Sequence, residues 1–321
     1  MNDNALGSAA GGSPGAPPGG VVSERVMTWL WQKPGRVVRA MLDDVVTTLY
    51  PSECRVCEQP LLQAGTDPVC EDCVGGVGVQ TATLCRVCGE ALDMEGVRFA
   101  GQFPAEGLMC SPCRMVAPEF ERAVAYAAYR DELREMIHLL KYERMRTVAR
   151  PLGRMLARAI ETLDGEVGAE LLVVAVPLFP GKERQRGYNQ AVLLSNAAVA
   201  ELKRCGAAWK LREAHGVLRR VRDTESQFSL TPRGRRRNLQ GAFAVVGGSL
   251  LMGQEVLLVD DIYTTGATAR ACAQVLRRAG ARKVWVATVS RAQPEMVAAW
   301  DEATGARSGV ESSRNLTRCE Q

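Results

Sequence analysis

The stretch from Val256 to Thr268 constrains the fold of this 321-residue chain more than any other part of it. Its first four residues are aliphatic, which predicts a strand buried on both faces of a parallel sheet, because such a strand needs no polar alternation. The carboxylates of Asp260 and Asp261 follow directly. The sequence therefore predicts an α/β fold with polar chemistry at the carboxyl end of this strand.

The turn after the two carboxylates has the features of a phosphate-binding loop. It precedes a helix predicted over about residues 269–279, and backbone N–H groups at a helix N-terminus converge on one point where the helix dipole adds partial positive charge. A glycine lets the backbone approach an anion closely, and hydroxyl groups supply further donors. The predicted contacts are Thr264, Thr265, Gly266, Ala267 and Thr268.

Asp260 and Asp261 would repel a phosphate, so we expect them to contact another part of the ligand. Carboxylates accept hydrogen bonds from sugar hydroxyls and bind a Mg²⁺ that a ligand carries. A phosphate beside a diol indicates a phosphorylated ribose. All thirteen residues from Val256 to Thr268 resemble the phosphoribosyl pyrophosphate (PRPP) motif of type I phosphoribosyltransferases.

Eight of the 11 cysteines form four C-x-x-C pairs. In a chain without a visible secretory signal, this pattern indicates metal sites rather than disulfides. A Cys-Arg-Val-Cys sequence occurs twice, so we predict two zinc ribbons in series, each with one structural Zn²⁺ in a closed tetrahedral site. The predicted ligands are Cys54, Cys57, Cys70 and Cys73 in one ribbon, and Cys85, Cys88, Cys110 and Cys113 in the other.

Two alternatives to this metal assignment stay open from the sequence. The four C-x-x-C pairs can interleave, so that each ion takes ligands from both halves of the segment. A Cys₄ iron–sulfur cluster also uses four thiolates.

The remainder of the chain divides by composition. Residues 1–23 are rich in Gly, Ala, Ser and Pro and predict a disordered tail, and residues 24–50 predict an amphipathic helix. Residues 51–115 hold the predicted zinc ribbons. Strand and helix patterns alternate over residues 120–292, and residues 293–321 predict a polar tail. No apolar run reaches membrane-spanning length, and we expect a cytoplasmic protein. The formal charge of +4 is too small to argue for nucleic-acid binding by itself.

Two further loops are rich in basic residues, and the first of them is predicted to reach the same edge of the sheet as the turn at 264–268. A strand over 171–176 is followed by a loop in which Lys182, Arg184 and Arg186 can clamp a pyrophosphate. An Arg-rich loop over 222–238 is expected to be mobile and functional. Lys141, at the end of a predicted helix, is either a cation that stabilises the helix C-terminus or a ligand contact.

These motifs, taken in order, resemble the ComF family. They include the cysteine pairs, the Arg-Gly-Tyr-Asn-Gln sequence at 186–190, the Thr-Glu-Ser-Gln sequence at 224–227 and the PRPP string. The resemblance implies a type I phosphoribosyltransferase-like parallel sheet core flanked by helices, preceded by a small double zinc-ribbon domain. It also implies that the 5′-phosphate binds at 264–268 and the pyrophosphate at 177–187. The catalytic residues that it implies are Asp260, Asp261, Arg186, Gln227 and Arg237.

The function predicted on this basis is Mg²⁺-dependent phosphoribosyl transfer from PRPP. The alternative is a nucleotide- or single-stranded-DNA-binding accessory protein in competence and DNA uptake, with little or no catalysis, whose partners are DNA and competence proteins. Purine-type enzymes of this class place a general-base Asp where this chain has Thr264, and no separate segment for a nucleobase pocket is visible. The acceptor is therefore not predicted.

Overall fold

A parallel sheet forms the centre of the part of the chain that the structure describes. The computed structural model describes residues 53–61, 67–92, 107–223 and 239–293. The strands of the sheet are β1 (Arg122–Ala128), β2 (Glu170–Ala175), β3 (Lys210–Glu213), β6 (Glu255–Tyr263) and β7 (Lys283–Arg291). They are all parallel and lie in the order β1-β7-β6-β2-β3. A separate antiparallel ribbon joins β4 (Leu218–Arg220) to β5 (Phe243–Val245).

Seven α-helices lie within the described residues. They are α1 (Glu71–Gly75), α2 (Ser111–Met115), α3 (Asp131–Tyr142), α4 (Ala149–Glu161), α5 (Pro180–Arg186), α6 (Gln190–Arg204) and α7 (Ala267–Arg278). Short 3₁₀ turns occupy Arg146–Val148, His215–Val217 and Gly248–Leu251. In this part of the chain, no helix has the length and apolar character needed to cross a membrane.

Strand β6 is buried on both faces, which explains its unbroken aliphatic run. Leu257 and Val259 belong to the core that α3, α4 and α6 cover. Val256 and Leu258 belong to the opposite core, which α7 and the β4–β5 ribbon cover. Because side chains alternate along a strand, a strand between two covered faces needs apolar residues at every position.

The order of the strands places a topological switch point between β2 and β6. These strands are neighbours, with Val174 paired to Leu258. The chain leaves β2 through α6 toward β3 and leaves β6 through α7 toward β7, so the two connections diverge over opposite faces of the sheet. A crevice opens at the carboxyl ends of strands at such a point, which is where open α/β sheets bind ligands.

The two groups of cysteines pack against opposite faces of this sheet. Cys54 and Cys73 join the core on the α3, α4 and α6 face. All four cysteines of the second group join the core on the α7 face, together with Phe120. The cysteine region and the sheet belong to one compact unit, Ser52–Gln321. The predicted fold class is therefore confirmed: a parallel sheet flanked by helices follows a cysteine-rich region.

Several local expectations differ from the structure. The segment after β2, expected as a loop, folds into α5, since Pro180 suits the first helical turn and Gly187, at φ 85°, ends the helix in the left-handed conformation. Strand β3 was not expected, because only Leu211 is buried in this polar edge strand. Strand β6 continues past the aliphatic run to Tyr263.

Three other expectations fall outside the described residues. These are the disordered tail with the amphipathic helix over 1–50, most of the Arg-rich loop with Gln227 and Arg237, and the polar tail after residue 293.

Candidate functional site

The turn between β6 and α7 is built around Gly266. This residue has φ +73° and is the N-cap of α7. A Cβ atom there would lie 2.0 Å from Oη of Tyr263, so glycine is required both by conformation and by space. No side chain of the described residues caps this helix N-terminus, which leaves its backbone N–H groups available to a ligand.

The turn opens into a cleft of about 1040 Å³ at the carboxyl edge of the sheet. The cleft brings together most of the predicted ligand contacts, namely Asp260, Asp261, Thr264, Thr265, Thr268, Lys182 and Arg186. Arg184 is exposed and does not line it. Neither of the two histidines, His138 and His215, lines it. Cations, carboxylates and an open helix N-terminus thus share one cavity, which suits a polyanionic ligand that also carries hydroxyl groups.

Asp261 lies in a buried polar network that ties the cleft together. Its Oδ1 accepts from Nζ of Lys141 at 2.8 Å, and its Oδ2 accepts from Nε2 of Gln190 at 2.8 Å. Arg186 in turn donates to Oε1 of Gln190. Burial opposes the charge on Lys141, but the nearby carboxylate of Asp261 outweighs it and raises the pKa of Lys141. Each oxygen of Asp261 keeps a lone pair that can accept one further hydrogen bond.

Two further residues of the Arg-Gly-Tyr-Asn-Gln sequence, Tyr188 and Asn189, hold this network in position. The hydroxyl of Tyr188 donates to the carbonyl of Leu140, next to Lys141. Asn189 donates to the carbonyl of Val176 at 3.0 Å and accepts from the N–H of Ala191 at 2.9 Å, so it fixes the end of β2 and caps α6. The hydrogen bonds of the motif therefore connect the start of α6 to the end of α3 and to the end of β2, beside the cleft.

Asp260 has a different environment from its neighbour. Burial, together with the negative charge of Asp261, raises the pKa of Asp260 to about 7, and Lys141 and Arg220 only partly oppose this shift. One oxygen of Asp260 accepts the N–H of Asp261 at 2.9 Å. A carboxyl group with this pKa is partly protonated near neutral pH. A cation that binds beside it favours the charged form, so the group then loses its proton.

The cysteines gather into two tetrads in sequence order. Within each tetrad, the Sγ atoms all lie within 4.8 Å of one another. Measured separations include 3.6 Å for Cys57 and Cys70 and 3.6 Å for Cys88 and Cys110. Tetrahedral ligands at about 2.3 Å from one ion are about 3.8 Å apart, so each tetrad fits a single ion. The cysteines are grouped in sequence order, as the two-ribbon prediction expects, and not in the interleaved arrangement.

Backbone donors in the first tetrad favour the thiolate form that a metal requires. The N–H groups of Val56 and Cys70 donate to Sγ of Cys54 at 3.4 and 3.3 Å, and the N–H of Cys73 donates to Sγ of Cys70 at 3.4 Å. Burial raises the pKa of Cys54, but the backbone donors outweigh it and lower this pKa to about 6, whereas at Cys70 and Cys73 burial prevails and raises the pKa.

The second tetrad receives arginine donors from the sheet domain. Nη2 of Arg270 lies 3.7 Å from Sγ of Cys113, and Nη2 of Arg291 lies 3.6 Å from Sγ of Cys88. Sequence reasoning missed both arginines and Gln190, and left Lys141 undecided. Only Gln190 had a signal, its place at the end of the Arg-Gly-Tyr-Asn-Gln motif; the arginines have no sequence spacing that relates them to the cysteines.

Comparison with known proteins gives close relatives in sequence. The chain is 32% identical over 238 residues to DNA utilization protein YhgH of Salmonella typhimurium, an alignment that covers 74% of this chain and 95% of the relative. It is 28% identical over 231 residues to competence protein F of Haemophilus influenzae, which covers 70% of this chain and 96% of the relative. No family model matches the chain.

Comparison with solved structures gives only weak similarity. One match is a glutamine PRPP amidotransferase from B. subtilis complexed with ADP and GMP, with a TM-score of 0.27 and 23% identity over 44% of this chain and 26% of that chain. The assignment of the chain therefore rests on its sequence relatives, which align along nearly their whole length. The chain belongs to the ComF family, together with YhgH and competence protein F.

Proposed function

We propose that the cleft binds PRPP with Mg²⁺ and transfers its phosphoribosyl group to an acceptor. The observation that carries the proposal is the open N-terminus of α7 at Gly266, which shares one cavity with two carboxylates and with the cations Lys182 and Arg186. A phosphate, a ribose diol and a pyrophosphate each find a chemical counterpart there.

In this proposal, the 5′-phosphate binds to the turn of residues 264–268. The ribose hydroxyls and the Mg²⁺ contact Asp260 and the remaining lone pairs of Asp261. The pyrophosphate lies toward Lys182 and Arg186, with Arg184 nearby on the same helix. An acceptor nucleophile would bond to ribose C1 as the bond from C1 to pyrophosphate breaks, and Lys182 and Arg186 would stabilise the negative charge that develops on the leaving pyrophosphate.

Gln227 and Arg237 are proposed to contact the ligand from the loop over 222–238, which would close over the cleft and exclude water. The boundaries proposed for the two domains are 51–115 for the metal-binding domain and 120–292 for the phosphoribosyltransferase-like domain. The metal proposed for both tetrads is zinc. Four thiolates leave no open coordination position, so zinc would stabilise the fold and take no part in catalysis.

The names of the relatives support a second proposed function. DNA utilization protein and competence protein F are named for DNA use and for competence. In this alternative, the chain is a nucleotide- or single-stranded-DNA-binding accessory protein in competence and DNA uptake, and the cleft binds a phosphoribosyl ligand with little or no turnover. The presence of Thr264 where purine-type enzymes carry a general base also favours this reading.

Calorimetric titration with PRPP and Mg²⁺ tests the site shared by both functions. We expect saturable binding that Asp260→Asn weakens and that Asp164→Asn, an exposed site outside the cleft, leaves unchanged. Pyrophosphate release with any member of a panel of nucleobases and aromatic amines or acids would support transfer. Binding without release across that panel would support the accessory function, and absence of binding would refute both uses of the cleft.

Affinity for single-stranded DNA tests the alternative separately. We expect a steep decrease in affinity with salt, because Arg contacts to phosphate release counterions. Removal of Arg233 and Arg235–Arg237 should weaken binding if this loop contacts DNA. An affinity that this change leaves unaltered would count against the DNA-binding function.

A further inference from the structure

The second cysteine tetrad borders the ligand cleft, and the first does not. Three members of the second tetrad, Cys88, Cys110 and Cys113, line the cleft together with the phosphate-binding turn. The cleft includes no cysteine of the first tetrad, which packs on the opposite face of the sheet. Only the second metal site therefore borders the proposed ligand.

Arg270 connects the second tetrad to the first turn of α7. Its Nη2 donates to Sγ of Cys113 at 3.7 Å, and its Nη1 donates to the carbonyl of Val116 at 2.8 Å. Its own backbone N–H donates to the carbonyl of Gly266 at 2.9 Å. The residue that accepts this bond is the glycine on which the phosphate-binding turn depends.

Arg291 makes a second connection from the end of β7. Its guanidinium lies 4.4 Å from the centre of the Tyr263 ring, and its Nη2 reaches Sγ of Cys88 at 3.6 Å and Oε2 of Glu90 at 3.3 Å. The ring of Tyr263 is the group that confines Gly266. Arg291 is thus packed between the metal site and the turn.

The charge on Arg291 needs a counter-charge beyond Glu90. Arg291 is only 3% exposed, and its Nε and Nη1 have no hydrogen-bond partner among the described residues. Four thiolates around one divalent cation carry a net charge of −2 that two arginines can offset. Loss of the ion would change the charge and the positions of the thiolates that Arg270 and Arg291 contact.

We propose that Arg270 and Arg291 are positioning residues that couple the second cysteine site to the phosphate-binding turn, so that a divalent ion in that site and a phosphorylated ribose in the cleft each raise the affinity for the other. The inference rests on the proposed binding of PRPP. The coupling is reciprocal, because linked binding equilibria share one coupling free energy. The first cysteine site takes no part in it.

Zinc affinity measured with and without PRPP tests the coupling. The full-length, zinc-loaded protein is titrated with a chromogenic zinc-selective chelator in excess Mg²⁺. The same titration of Cys57→Ser, a change confined to the first tetrad, shows which of the two measured zinc affinities belongs to the first site. We expect saturating PRPP to tighten zinc binding at the second site by about fivefold or more, the lower end of typical allosteric coupling, and to leave the first site unchanged.

Variants of Arg270 test the route of the coupling. Arg270→Ala should reduce the effect of PRPP on the second site to less than about twofold, and Arg270→Lys, which keeps the charge, should restore part of it. Arg278→Ala, an exposed position on the same helix, is the matched control and should keep the full effect. Arg291→Lys should likewise reduce the effect of PRPP on the second site, and full coupling in this variant would refute the role of Arg291.

The outcomes separate this inference from the proposed function. If the parent protein binds PRPP but its second-site zinc affinity does not change, the coupling is refuted and the ligand site stands. Equal coupling in Arg270→Ala and in the parent protein refutes the role of Arg270. If PRPP does not bind at all, both the ligand site and the coupling are refuted.

Discussion

Replacement of Gly266 by alanine tests the geometry of the turn proposed to bind phosphate. The new Cβ would lie 2.0 Å from Oη, 2.4 Å from Cζ and 2.9 Å from Cε1 of Tyr263. Tyr263 cannot move away freely, because it is 5% exposed, meets Phe120 edge-on at 6.4 Å and stacks beneath Arg291 at 4.4 Å. The turn itself must therefore shift, and its backbone N–H groups shift with it.

The expected cost has two parts. A left-handed conformation costs alanine about 1–2 kcal/mol relative to glycine, and overpacking a well-filled site costs about 1–3 kcal/mol. We therefore expect Gly266→Ala to lower the free energy of unfolding by about 2–5 kcal/mol. Gly253→Ala is the matched control, since Gly253 has φ +70° but a Cβ there meets nothing within 4 Å. It should therefore cost only the conformational part, about 1–2 kcal/mol.

Urea denaturation of the zinc-loaded proteins gives the two free energies, and calorimetry with PRPP gives the two affinities. We expect PRPP affinity to fall at least tenfold, about 1.4 kcal/mol, in Gly266→Ala. It should stay within about twofold of the parent in Gly253→Ala. If the two variants lose the same stability within about 0.5 kcal/mol and bind PRPP alike, Tyr263 does not confine the turn and the reasoning is refuted.

Three further predictions concern the metal sites and the carboxylates. Metal analysis should find two zinc ions per chain, and a strong chelator that removes them should disorder the cysteine region locally while the parallel sheet stays folded; one ion or none would contradict the paired tetrads. Asp260 keeps a proton in the folded state that the unfolded chain has released, so its contribution to stability falls as pH rises from about 4 to about 7. The stability of the parent relative to Asp260→Asn should decrease over that window, and a constant difference would contradict the raised pKa. Lys141→Met leaves the buried carboxylate of Asp261 with Gln190 as its remaining partner and should cost about 3 kcal/mol. Addition of Asp261→Asn should recover most of this loss, whereas additive losses would show that the ion pair does not stabilise the fold.

The parts of the fold that follow from local spacing could be predicted from the sequence. The aliphatic run at 256–259 predicts a doubly buried strand because only apolar residues satisfy two covered faces. The sequential cysteine tetrads follow from C-x-x-C spacing and the internal repeat. The helix predicted to end near Lys141 is α3, Asp131–Tyr142, in which buried apolar residues recur at helical spacing.

Contacts between distant segments could not be predicted in the same way. Lys141 and Asp261 are 120 positions apart, and Arg291 and Cys88 are 203 apart, so no local pattern relates them. Helix α5 was expected as a loop because its charged residues show no apolar face, and indeed none of them is buried. Strand β3 has a single buried residue, so its sequence shows no alternation of apolar and polar residues that would predict a strand.

A crystal structure of the protein with PRPP and Mg²⁺ tests the central claim most directly. We predict the 5′-phosphate within about 3 Å of the backbone nitrogens of the turn Thr264–Thr268. We also predict the ribose diol against Asp260 and the pyrophosphate near Lys182 and Arg186. A ligand bound away from this turn, or a cleft that stays free of ligand at saturating PRPP, would contradict the account.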